Sequence, residues 1–148
     1  MTLEAILAAL HIVAILTYVV FLSSEAALCR IEWLNAAVVE RLVRLDVICA
    51  VAGSVVVASG VARVLWGVKG ASWYVSQPLF HIKITIVLAM VILFLFPAMA
   101  FRRWRNNLRS TGALPGAQEV SKVRRLVMIQ SHVLPVVAVI AVFWARGW

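Results

Sequence analysis

Four long runs of apolar residues, separated by clusters of charged and turn-forming residues, dominate the chain: roughly Ala5 to Leu28, Leu45 to Trp66, Leu79 to Phe101 and Leu126 to Trp144. Each is about 19 to 24 residues long, which at ~1.5 Å per residue crosses a hydrocarbon layer of ~30 Å. The runs are continuously apolar rather than alternating, which argues against strands, and an open sheet would leave backbone groups without partners in lipid. The pattern predicts an all-α integral membrane four-helix bundle, one transmembrane domain over residues 1–148. The first run reads as a span and not as a secretory signal, because Met1 to Glu4 holds no Lys or Arg and the run is too long for a signal's apolar core.

Composition sharpens this picture. Hydrophobic residues make up 64% of the chain and the mean hydropathy is +1.01, which excludes a soluble domain, a disordered tail or a disulfide scaffold. The net charge of +8 would suggest nucleic acid in a soluble protein. In a membrane chain it is a topology signal, and nucleic acid is not expected as a partner. Ten of the 14 Lys and Arg lie in two segments, Arg30 to Arg44 and Arg102 to Arg125. The positive-inside rule then places those segments in the cytoplasm and both termini outside, in a multi-pass protein of the bacterial inner membrane. Trp33 and Trp104 are expected at the inner interface, and Trp66, Trp73, Tyr74, Trp144 and Trp148 at the outer one. Asn106 to Gln118 reads as a cytoplasmic turn. Cys29 and Cys49, on the reducing side and without zinc-site spacing, read as packing residues.

Ionisable groups inside the spans are costly and so are the functional candidates. Glu4, His11, Tyr18 and Glu25 recur every seven residues on the first span and share one stripe, because a heptad step drifts only about 20° around a helix. Such a stripe should face the bundle and offers a proton path. Ala50, Ser54, Ala58 and Ala62, with Gly53 and Gly60, permit close helix packing on the second span. Arg63, Lys69 and Lys83 cluster at the outer ends of spans two and three, where an anionic group would suit them. His81 and Lys83, two residues apart, point to opposite sides of their helix. By rise, His11 lies about 9 Å below Ala5 and His81 about 3 Å below Leu79, both in the outer half on parallel helices. Two imidazoles so placed match bis-histidine haem ligation in a helix bundle. His132, about 9 Å from Leu126 on the fourth span, lies nearer the cytoplasm and reads as structural or as a proton relay.

Glu25, Arg44-x-Asp46, Gly60-x-x-Arg63, Lys69-Gly70, Trp73-Tyr74, Pro78-x-Phe80-x-x-Lys83, Arg103-Trp104-Arg105 and Ala145-Arg146-Gly147 together resemble an uncharacterised family of four-helix bacterial membrane proteins. More distantly, Leu10-His11-Ile12, Arg41-Leu42 and Phe80-His81-Ile82-Lys83 are similar to the oxygen-independent protoporphyrinogen oxidase of bacterial membranes. That second resemblance implies haem b, His11 and His81 as its iron ligands, and Lys83 as a functional cation. Val51-Ala52 and Leu79-Phe80 depart from the Thr-Pro and Trp-Leu that precede the glycine and the histidine in that family.

Two functions are therefore expected as alternatives. One is a haem b membrane redox protein, of the protoporphyrinogen oxidase kind, acting on a porphyrin and passing electrons to quinone or the respiratory chain, with Lys83, Arg63 and Glu25 as working residues. The alternative is a small proton-coupled transporter or assembly subunit without a cofactor. The bilayer is the expected partner in both, and the helices are compatible with an oligomer.

Overall fold

The computed structural model describes residues 2–67 and 70–145. Among these residues there is no strand, and the order is α1 (Thr2–Leu28), a 3-10 turn (Ile31–Trp33), α2 (Ala36–Trp66), α3 (Gly70–Val75), α4 (Pro78–Thr111) and α5 (Ala117–Ala145). Four of the helices are long and apolar enough to cross a membrane. Lys69, Arg146 and Trp148 lie outside the described residues, as does the side chain of Trp144, and with them the outer-end positions expected of these four residues.

The helices are longer than the apolar runs. α2 begins nine residues before Leu45, α4 continues ten residues past Phe101, and α5 begins nine before Leu126. The stretch read as a turn from Asn106 to Gln118 is therefore mostly helix. Its connection is confined to residues 112–116, and Gly112 closes α4 with φ 72° while its N–H bonds to the Leu108 carbonyl at 3.0 Å. At the other basic connection Asn35 caps α2, its side chain accepting from the Val38 N–H at 3.0 Å.

These extensions carry the core. Val39, Leu42, Val43, Phe101, Trp104, Val120, Val123 and Val127 are buried together with Leu22, Ala26 and Cys29. They recur at three- and four-residue steps among the arginines, which turns one face of each helix inward and the cations outward. Trp104, expected at the lipid interface, is 1% exposed and sits edge-on to Phe101 at 5.4 Å between ring centroids. Its indole N–H donates to Glu119 at 2.6 Å, which satisfies the polar atom of an otherwise apolar ring inside the bundle. Trp33, by contrast, is 55% exposed.

α1 packs on α2 and on α5, and α4 on α5 and on α2, so α1 and α4 face each other across a diagonal. They touch through Tyr18 and Phe94, with ring centroids 6.5 Å apart. The two basic connections share one end of the bundle, the basic end. α3 lies at the far end, where Tyr74 packs between Trp73 and Phe80.

Candidate functional site: a polar seam between α1 and α2

His11, Tyr18 and Glu25 occupy one face of α1, and the structure turns that face onto α2; His11 and Glu25 are buried and Tyr18 half-buried. Opposite them α2 places Gly60, Gly53 and Asp46, also seven residues apart. The two helices run antiparallel, so the pairs His11 with Gly60, Tyr18 with Gly53 and Glu25 with Asp46 keep one register, each about 10.5 Å from the next. A Cβ on Gly60 would lie 3.4 Å from His11 Cε1, and one on Gly53 would lie 3.5 Å from Tyr18 Cε2. Each glycine is the notch into which a polar ring fits. The interface therefore follows the heptads of Asp46, Gly53 and Gly60, whereas Ser54 and Ala58, expected on the packed face, lie on the outside.

Hydrogen bonding fixes the state of His11. Ser59 Oγ lies 2.8 Å from His11 Nδ1, and it donates its own hydrogen to the Val55 carbonyl at 2.6 Å. A hydroxyl has one hydrogen, so Ser59 accepts from His11 and Nδ1 carries the proton. In that tautomer Nε2 is the ring nitrogen without a hydrogen.

Lys83 is half-buried, while His81, two residues earlier, lies on the outside of α4. Its Nε2–H donates to the Val75 carbonyl at 2.8 Å, tying the end of α3 to the start of α4. The structure thus turns Lys83 toward the seam and His81 away from it, and does not point the two imidazoles at each other. His132 is also on the outside, with Nδ1–H donating to the Met128 carbonyl at 2.6 Å. Glu4 and Arg63 are half-buried, and Arg63 Nε is a buried donor with no hydrogen-bond partner.

The basic-end half of the seam is the most enclosed polar region of the bundle. Glu25, Asp46 and Gln130, from α1, α2 and α5, are at most 1% exposed. Buried Cys49 stands one helical turn from Asp46 on α2, and Tyr18 donates to Gln130 Oε1 at 3.2 Å. Arg102 reaches Asp46 at 3.8 Å from a side chain that is 56% exposed, so the charge nearest the carboxylates sits at the rim. Glu25 Oε1, both oxygens of Asp46 and Gln130 Nε2 are buried without a hydrogen-bond partner. Glu25 and Asp46 thus place two carboxylates in the buried basic-end half of the seam, with Arg102 at its rim as the cation that reaches them.

The stripe on α1 and the roles of His11 and Glu25 in it are legible in the heptads of one helix. Asp46, Ser59 and Gln130 are not. Asp46 reads as an interfacial residue beside Arg44, and the signal that brings it inside is its seven-residue spacing from Gly53 and Gly60. Among the described residues no group of three or more His, Cys, Asp or Glu is disposed to hold a metal ion.

Residues 3–148 match the family described as predicted membrane protein (DUF2214), and the chain belongs to that family. No curated protein and no solved structure matches the chain. The similarity to protoporphyrinogen oxidase has no counterpart in these comparisons.

Proposed function

We propose that this membrane protein moves protons along the seam between α1 and α2, as a proton-coupled transporter or as the proton-handling subunit of an assembly. One arrangement supports the reading: His11, Tyr18 and the Glu25 and Asp46 pair stand on successive heptads, turned inward and walled by helix. Ionisable groups so placed in a membrane protein mark proton relays. His11, protonated at Nδ1 by its bond to Ser59, offers Nε2 as the acceptor at the far end. The carboxylate pair is the store at the basic end, buried beside Cys49 and Gln130. Successive groups are about 10.5 Å apart, so transfer between them requires water or side-chain swing.

The test is proton flux into proteoliposomes carrying the full chain, read with an enclosed pH-sensitive dye under an imposed gradient. The wild type should exceed protein-free vesicles. Glu25→Gln and Asp46→Asn, which keep shape and remove the titrating group, should bring flux to background. Wild-type flux in both variants would overturn the reading.

A second reading, a haem b redox protein using a porphyrin or quinone, has one observation in its favour, the buried imidazole of His11. His81 does not fit as its companion in this arrangement, because its Nε2–H is bonded to Val75 and its ring lies outside the seam. Spectra of the purified protein, oxidised and dithionite-reduced, separate the readings: a b-type band lost in His11→Ala favours haem, and a colourless protein with Glu25-dependent flux favours the proton path.

A further inference from the structure

Beyond the seam, the basic end holds a polar recess of about 110 Å³ between the 3-10 turn and the first turns of α5. We propose that this recess binds a phosphate-bearing anion, the headgroup of an anionic phospholipid.

Two arginines wall it from different elements, Arg30 leading into the 3-10 turn and Arg124 on α5, with the Ser121 hydroxyl beside them. Buried Cys29 and Val120 form its inner wall, the Cys29 Sγ lying 4.0 Å from the Val120 carbonyl. Glu32 also lines it, leaving two cations against one anion. The ion pairs among the described residues use Arg102, Arg103 and Arg109, so neither Arg30 nor Arg124 spends its charge on a carboxylate. Arg124 Nε is moreover a buried donor with no hydrogen-bond partner. A guanidinium stays charged at any ordinary pH, and its planar donors match phosphate oxygens in pairs. An anion in the recess would satisfy the buried donor and complete both arginines at once.

The surroundings favour a lipid over free phosphate as the source of that group. Arg30 stacks on the Trp33 ring at 5.6 Å, and Trp33 and Ile31 are 55% and 45% exposed. A Trp and an Ile facing outward beside a basic recess, at the end of a membrane-crossing bundle, sit where acyl chains meet headgroups. Basic pockets between helices at this level hold anionic headgroups.

The test uses the full chain, delipidated in a neutral detergent, with thermal unfolding followed as phosphatidylglycerol, phosphatidylcholine or inorganic phosphate is added. Phosphatidylglycerol should raise the midpoint by roughly 4 °C or more, and phosphatidylcholine should not. Arg30→Gln with Arg124→Gln should abolish the rise. Lys122→Gln with Arg125→Gln, removing two cations from the outer side of α5, should keep it. Ser121→Asp, an exposed position where a carboxylate is easily accommodated, should abolish the rise even where the double arginine variant folds poorly. Protection by inorganic phosphate alone, competing equally with the lipid, would keep the site but overturn the lipid assignment. An unchanged response in the arginine and Ser121 variants, or an equal loss in the Lys122 and Arg125 variant, would overturn the site.

Discussion

At Gly60 an added Cβ would stand 3.4 Å from His11, at the edge of ordinary van der Waals contact, and this single distance separates two substitutions. Gly60→Ala adds only that Cβ and gains helix propensity of about 1 kcal/mol, so it should unfold within about 1 kcal/mol of the wild type. Gly60→Val adds branches that enter the imidazole's volume and should cost about 1–3 kcal/mol. Thermal unfolding in detergent checks both, and equal stability of Val and Ala would mean that the notch is not filled by His11. Tyr18→Phe is the companion experiment. It leaves the buried Gln130 carboxamide with neither polar atom paired, at a cost of about 1–3 kcal/mol, and Gln130→Leu in the same background should restore most of it. At this scale the sequence shows which α1 residues turn inward but not what receives them. Spacing separates His81 from Lys83 by about 200°, and only the packing of α4 across the bundle decides that Lys83 is the inner one.

The helices themselves are readable in type but not in length. An apolar count stops at Phe101 because arginines come next, yet Phe101, Trp104 and Leu108 continue one inward face beneath Arg102, Arg103 and Arg109. The transition is from a lipid-facing helix, apolar all round, to an amphipathic one, and hydropathy alone does not see the second kind. The cost of truncating a residue there should be that of a soluble core. Trp104→Ala, at a position 1% exposed, should lose about 3–5 kcal/mol. Gly112→Ala should lose about 1–2 kcal/mol through its left-handed backbone and not through contacts, since a Cβ there meets nothing within 4 Å. Chemical or thermal unfolding measures both, and a Trp104→Ala cost no larger than that of Gly112→Ala would show that the extensions are not part of the cooperative core.

For the whole molecule the remaining question is which end faces the cytoplasm, and charge supplies the argument. Four spans put both chain ends on one side, and the two connections on the other side hold ten of the 14 Lys and Arg. Those cations are not neutralised by the three ion pairs at that end, so they keep the field that resists translocation. The basic end, with the Glu25 and Asp46 pair and the recess of Arg30 and Arg124, should therefore face inward, and His11, Arg63 and Lys83 should lie toward the outside. Cysteine scanning tests this cleanly because Cys29 and Cys49 are both fully buried and give little background. Ser72→Cys, exposed on α3, should react with a membrane-impermeant maleimide in intact spheroplasts, and Ser110→Cys, exposed near the end of α4, only after permeabilisation. The reverse pattern would invert the bundle. It would place the Glu25 and Asp46 pair on the outer side and move the proposed lipid site to the outer leaflet, so this one measurement sets both the direction of the proposed proton path and the lipid to be tested.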